Sequence, residues 1–330
     1  MRLEADWLGA PHTQAVLRML TRAGHQGWAV GGCVRNALLG EPVADIDIAT
    51  DAHPEEVTRL AKAAGLKPVP TGIDHGTVTV VSAGHPHEVT TFRADVETDG
   101  RRAVVRYSDD IATDAARRDF TMNALYADAE GVIADPLGEG VADLRARRVR
   151  FIGDPARRIK EDALRILRFF RFSTWYGRGP LDPEGLAAAR AARDQLGQLS
   201  RERVGAELAK LLDAPDPSDA VAAMEEAGIL GAVLPGAAAA GLPGLIAVER
   251  AADEPPAWPR RLAALGDADW TDALRLSRAQ ARHLSNVRRA LADQLPDHEA
   301  ACRHGAAAAT DAALLRAAAT GAAPPAGWGA

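Results

Sequence analysis

Cysteine is scarce in this 330-residue sequence, and the two present, Cys33 and Cys302, lie too far apart to suggest a disulfide framework or a cysteine-based zinc site. A reducing, cytoplasmic setting is expected. The first twenty residues, MRLEADWLGAPHTQAVLRML, carry acids and lack both the continuous apolar core and the cleavage site of a signal peptide, so secretion is not expected. Long hydrophobic runs are also missing. Ala227 to Val248 has no charged residue and enough length to cross a bilayer, but two prolines, five glycines and much alanine interrupt it. A loop between helices is expected there, and no membrane contact. Nor is there an excess of positive charge: the formal net charge of −6 argues against a polyanionic partner until its distribution is considered. Between Arg145 and Arg171 ten Lys or Arg face three acids, so that segment is +7 and the remainder is near −13.

What is present divides in two. Up to about residue 140, short β-rich runs alternate with helical patterns, and strands are expected at Trp28 to Val30, Asp45 to Ile48, Thr77 to Val81 and Glu88 to Phe92. From Ile159 onward alanine, leucine and arginine dominate, β-branched runs vanish, and the pattern predicts helices alone. Joints are expected at Tyr176 to Pro183, Ala214 to Ser218 and Glu254 to Pro259, with a disordered AAPPAGWGA end.

In Asp45-Ile46-Asp47-Ile48, strand alternation sends two carboxylates to one face and two isoleucines to the other. Adjacent carboxylates repel unless a divalent cation neutralises them, and Mg²⁺ favours a few such oxygens together with waters and phosphate oxygens. With two ions, one can activate a 3′-hydroxyl while the other stabilises a triphosphate leaving group. A half-exposed strand with an acidic outer face is the alternative. Upstream, Val30-Gly31-Gly32-Cys33-Val34-Arg35 turns from a strand into a helix expected over Asn36 to Leu39; paired glycines let backbone N–H groups approach a phosphate, which Arg35 can grip. Either motif alone is weak. Together they set phosphate binding beside metal binding.

These residues carry a resemblance. GGCVRNALLGEPVADIDIAT is similar to the signature of class II tRNA nucleotidyltransferases and bacterial poly(A) polymerases, members of the polymerase-β-like superfamily, and the likeness continues through DHGTVTVV, HEVTTFR, RRDFTMNAL, DPLG and EDALRILRFFRF. It covers roughly residues 25 to 210. It implies an α+β chain: a polymerase-β-like nucleotidyltransferase head over 1–140, with a mixed sheet and helices, then an all-α neck over 141–200 and a body and tail over 201–330. Catalytic metal ligands would be Asp45 and Asp47, with Glu88 a third acid or an ordinary strand-surface glutamate; Arg118 and Asp119 match a motif that contacts the nucleotide sugar and phosphate. Asn36 departs from the pattern, since the family usually has an acid there.

The stretch Ile159 to Phe172 reads as one helix, with Ile159, Ala163, Ile166 and Phe170 on its apolar side and Asp162, Arg165, Arg168 and Arg171 winding over the other. A solvated helix laced with ion pairs is one reading. Base chemistry offers another, because cytosine and adenine both present an amino donor beside a ring-nitrogen acceptor. An Asp that accepts and an Arg that donates can read both bases, whereas guanine and uracil reverse the order and leave both groups unpaired. In the family the matching EDxxR residues act as such a template, which assigns that role to Asp162 and Arg165, with Arg168 and Arg171 left for triphosphate or RNA backbone.

The expected activity is metal-dependent, template-independent addition of C, C and A to the 3′ end of tRNA from CTP and ATP. A poly(A) polymerase, a CC-adding enzyme and a non-catalytic RNA-binding descendant are the alternatives. Pro70 to Thr77 resembles CCA-adding rather than poly(A)-adding members, and Asp95 to Tyr107 supplies the loop that CC-adding members lack. Arg275, Arg278, Arg282, Arg288 and Arg289 fall in a helical stretch whose basic side could follow tRNA, or are solvated surface charges. Oligomeric state is not legible.

Overall fold

The computed structural model describes residues 1–94, 106–293 and 295–322, which form two compact units, Met1–Asp154 and Pro155–Ala330. In the first, the elements run α1 (Asp6–Gly9), α2 (Pro11–Arg22), β1 (Trp28–Val30), α3 (Gly32–Leu39), β2 (Asp47–Thr50), α4 (Pro54–Ala63), β3 (Lys67–Gly72), β4 (Thr77–Ser82), β5 (His85–Thr91), β6 (Arg93–Ala94), β7 (Arg106–Tyr107), α5 (Ile111–Ala116), β8 (Tyr126–Ala127), β9 (Ile133–Ala134) and α6 (Gly140–Arg145). Seven strands make one mixed sheet in the order β3-β4-β5-β2-β1-β8-β9, in which β2 and β5 run parallel and the other neighbours antiparallel. The parallel pair needs a crossover, and α4 begins it: Pro54 opens this helix, Glu55 and Glu56 meet its positive end, and Val57, Leu60 and Ala61 are buried. The segment after α6 stays with this unit through backbone bonds Thr121 N–H to Arg150 O and Ile152 N–H to Asp119 O.

Strand β2 begins two residues later than the Asp45-to-Ile48 expectation, so Asp45 lies just ahead of it and Ile46 is only half-buried. The predicted alternation holds for Asp47 and Ile48, exposed and buried respectively. α3 begins at Gly32, four residues before the expected Asn36, because Gly31 supplies a positive φ of 74° and Gly40 an αL C-cap at 73°. Most of the Asp95 to Tyr107 loop, and all but the first residue of AAPPAGWGA, lie outside the described residues.

The second unit is helical throughout its described residues: α7 (Pro155–Glu161), α8 (Leu164–Tyr176), α9 (Pro183–Ala191), α10 (Arg201–Leu212), α11 (Ser218–Glu226), α12 (Ile229–Val233), α13 (Leu242–Ala251), α14 (Trp258–Ala264), α15 (Arg278–Asp293), α16 (Asp297–His304) and α17 (Ala306–Thr320). The expected loop at Ala227 to Val248 is partly helical, holding α12 and much of α13, whose Ile229, Leu230, Leu242, Leu245 and Ile246 enter the core. Among the described residues no helix is long and apolar enough to cross a membrane.

A charged knot sits within this unit. Glu249 on α13 accepts from Arg260 Nε (2.7 Å) and Arg261 Nε (2.9 Å) on α14, and all three are nearly excluded from solvent. Arg260 also reaches Asp311 on α17 (3.0 Å), which bonds His283 (2.8 Å), while Arg261 donates to the carbonyls of Leu212 and Ala214. Burying these guanidiniums is tolerable only because their donors are met on several sides.

Candidate active site

The first unit brings its predicted residues to one end of the sheet. β1 pairs with β2 so that Ala29 faces Ile48, which sets the Gly31 turn beside Asp47. On the other side of β2, Asp47 pairs with Glu88 of β5. Residues paired across a ladder share a face, so the exposed Asp47 and Glu88 side chains stand next to each other, with Asp45 just upstream. Asp47 is exposed by area, yet the protein around its carboxyl removes part of its hydration. Its pKa is pushed up to about 6, first by that burial, then by Glu88 and more weakly by Asp45, with Arg118 opposing. A carboxylate crowded by two further acids in this way belongs to a donor set that a divalent cation relieves, and the residues fit the expected metal. Among the described residues no three acid, histidine or cysteine side chains form a ready-made metal cage. A partial set suits an ion that keeps waters and takes substrate oxygens.

At the turn, Gly31 could not carry a side chain without strain: its φ is positive and a Cβ would lie 3.3 Å from Arg118 Nη1. Arg35 is buried on α3 and donates through Nη1 to Asn123 Oδ1 (2.5 Å) and through Nε and Nη2 to Asn36 Oδ1 (3.0 and 2.7 Å). Asn36, anchored to the Pro42 carbonyl (2.7 Å), therefore still orients Arg35 although it lacks the usual acid's charge. Asp119 is buried and accepts from Asn123 Nδ2 (2.8 Å), so Asp119, Asn123 and Arg35 form a hydrogen-bonded chain beneath the turn. Neighbouring Cys33 is buried, and burial followed by Asp47 pushes its thiol up to about 11, which leaves it unreactive.

Two residues here escaped the sequence reading. Asp114, 1% exposed on α5, accepts from Arg118 Nη2 (2.9 Å) and Nε (3.2 Å) and from the Tyr126 hydroxyl (2.8 Å), which itself accepts from Arg118 Nε (3.1 Å). Burial alone would favour the neutral acid, but Arg118, the Tyr126 hydrogen bond and Arg117 hold Asp114 below the usual carboxylate range. The i, i+4 spacing of Asp114 and Arg118 was the available signal. Asn123 sits in the 3₁₀ turn Thr121–Asn123.

In the second unit the expected single helix is two. It breaks at Asp162, whose Oδ1 accepts the Leu164 N–H (3.1 Å) and so diverts a backbone donor, while Oδ2 accepts from Arg203 (2.7 Å). Arg165 Nη1 donates to Glu161 (2.6 Å) and to the Arg158 carbonyl (2.9 Å). Arg171 Nε donates to the buried Glu207 of α10 (2.6 Å), and Arg168 lies 3.8 Å from the same carboxylate. The apolar side is wider than predicted: Ile159, Ile166 and Phe170 are buried, but so are Leu164, Leu167, Phe169 and Phe172, whereas Ala163 is half-buried.

The C-terminal arginines separate. Arg278, Arg282 and Arg289 are exposed on one side of α15. Arg275 precedes the helix and pairs with Glu202 (3.4 Å), and Arg288 is half-buried beside Trp270.

Residues 27–150 match the poly A polymerase head domain, and 180–240 match a probable RNA and SrmB-binding site of polymerase A. The CCA-adding enzyme of Oceanobacillus iheyensis is 45% identical over 208 residues, covering 62% of this chain and 50% of that protein. The mitochondrial CCA tRNA nucleotidyltransferase 1 of Danio rerio is 43% identical over 188 residues, or 55% and 43% of the two chains. This chain thus spans about half the length of such relatives. The crystal structure of the Bacillus stearothermophilus CCA-adding enzyme with CTP aligns over 95% of this chain and 78% of that one, with a TM-score of 0.79 and 33% identity. On this sequence and structural likeness, together with the carboxylate strand beside its glycine turn, the chain belongs to the class II CCA-adding enzyme and poly(A) polymerase family, with a polymerase-β-like head.

Proposed function

We propose that this protein is a nucleotidyltransferase that adds C, C and A in turn to the 3′ end of tRNA in the cytoplasm, from CTP and ATP with Mg²⁺. The observation that carries the reading is the register of β2, which sets Asp47 beside Glu88 on one side and the Gly31 turn on the other. Asp45 and Asp47, with Glu88, would hold the ions; bound there, Mg²⁺ would lower the pKa of the attacking 3′-hydroxyl and neutralise the departing pyrophosphate. The chain's own part is to orient. Gly31 lets the chain turn close to the triphosphate, Gly32 offers its backbone N–H at the start of α3, and Arg35 and Arg118 supply fixed positive charge, while Asp119 holds the turn from below. The head, neck and body-tail division at 1–140, 141–200 and 201–330 belongs to the same proposal, with Arg278, Arg282 and Arg289 the best placed for tRNA phosphates and Arg275 and Arg288 less so.

The test is extension of purified tRNA that lacks its 3′ CCA. CTP alone should add two nucleotides and ATP should complete the end. A long adenylate run would support poly(A) synthesis, a halt after two cytidines a CC-adding enzyme, and no extension at all a non-catalytic protein.

Nucleotide choice falls, in this reading, to Asp162 and Arg165. The Asp162–Arg203 pair is open to solvent, 49% on the arginine and 34% on the carboxylate, and surface pairs are worth only about 0–1 kcal/mol, so its carboxylate can be exchanged to a base at little cost. Replacing Asp162 by alanine should reduce discrimination against UTP and GTP by about tenfold or more while C and A addition slows. Relative rates for the four nucleotides measure this. Proportionate slowing of all four, with a lower melting midpoint, would leave Asp162 only its role at the helix break.

A further inference from the structure

The guanidinium of Arg118 is held on one edge only. Asp114 and the Tyr126 hydroxyl take Nε and Nη2, while Nη1 lies outside that network, against the Gly31 turn. The sheet explains the placement: Tyr126 pairs with Val30, the residue before Gly31, and the Gly31 N–H bonds to the Leu125 carbonyl (3.2 Å), so the hydroxyl-bearing strand and the turn are fixed together. From α5, Asp114 Oδ2 closes the triangle with Tyr126 and Arg118, while its Oδ1 accepts the Arg93 backbone N–H (3.3 Å) and lies 3.7 Å from Arg117 Nη1.

We propose that Asp114 and Tyr126 are positioning residues that lock Arg118 in one orientation, with Nη1 presented to a phosphate oxygen of the incoming nucleoside triphosphate at the Gly31 turn. This rests on reading that turn as the triphosphate cradle. A guanidinium on a long side chain loses several rotors when it binds an anion, and fixing it beforehand removes that cost from nucleotide binding. Close by, Arg93 has a buried Nε without a hydrogen-bond partner, and burial, then Arg117 and then Arg118, hold it below its ordinary range despite Asp114.

The test measures CTP affinity by equilibrium binding without RNA, and KM and kcat in tRNA extension, for the full-length wild type, Tyr126→Phe, Asp114→Asn, Arg118→Ala and the double variant Arg118→Ala/Tyr126→Phe. Phenylalanine keeps the buried ring and removes only the hydroxyl, so Tyr126→Phe should weaken CTP binding and raise KM about tenfold, with kcat within about twofold. Asp114→Asn keeps the shape, loses the charge, and should do more. In the Arg118→Ala background Tyr126→Phe should add nothing, because its effect passes through the guanidinium. Unchanged CTP affinity in both single variants, or an additive double variant, would overturn the proposal, and a lower melting midpoint alone would mark a merely structural cluster. Wild-type protein that binds CTP but extends no tRNA would instead defeat the tRNA reading, leaving the positioning test to the binding data.

Discussion

Replacing Asp47 with alanine is expected to lower nucleotide transfer by at least about a thousandfold, equivalent to roughly 4 kcal/mol of transition-state stabilisation. Asp47 stands between Glu88 and Asp45, and its loss removes the carboxylate that both flanking acids need in order to share a cation. The fold should survive. The side chain is exposed, and in metal-free protein it repels its acidic neighbours, so the melting midpoint should stay the same or rise slightly. CTP-dependent extension in Mg²⁺, with thermal melting of the metal-free variant, checks both halves. Substantial residual transfer would remove Asp47 from the catalytic set, and a large drop in stability would make it structural.

The largest effect on stability is expected far from that site, at Glu249. Truncation to alanine strands Arg260 and Arg261, both nearly excluded from water, without their shared carboxylate; breaking a buried pair from one side typically costs about 3–5 kcal/mol. Asp311 still holds one guanidinium, and the Leu212 and Ala214 carbonyls hold the other, so the loss need not abolish folding. A fall of about 10 °C in the melting of the second unit is expected. Glu249→Gln should lie between, since the amide oxygen accepts a hydrogen bond but carries no charge. An unchanged melting temperature in Glu249→Ala would show that the arginines find other partners. Nucleotide binding by the first unit, measured below the transition, should be preserved.

The contrast between these residues shows what the sequence could convey. Asp47, Gly31 and Gly32 could be placed from the sequence because the cues are local: a two-residue period sets Asp47 and Ile48 on opposite faces, and a glycine pair marks a turn that other residues resist, whereas Asp45 lies ahead of the strand expected to hold it. Glu249, Arg260 and Arg261 carry no such local cue: nothing in their spacing foretells burial. The change from an α/β half to an all-helical half was equally plain, since it rests on composition and periodicity summed over many residues.

The sequence by itself determined the class of each half, the order of the motifs and the residue types that could hold metal and phosphate. Only the tertiary structure decided which of them meet. Pairing of β2 with β5 joins Asp47 to Glu88, far apart in sequence, and pairing of β1 with β8 brings Tyr126 to the Gly31 turn. The same holds for the arginine stripe, where Asp162 ends one helix and Glu207, from another, takes Arg171. The physical reason is common to all three: periodicity reports the face on which a side chain lies, but its partner across a sheet or between helices is set by long-range packing, which local spacing does not encode.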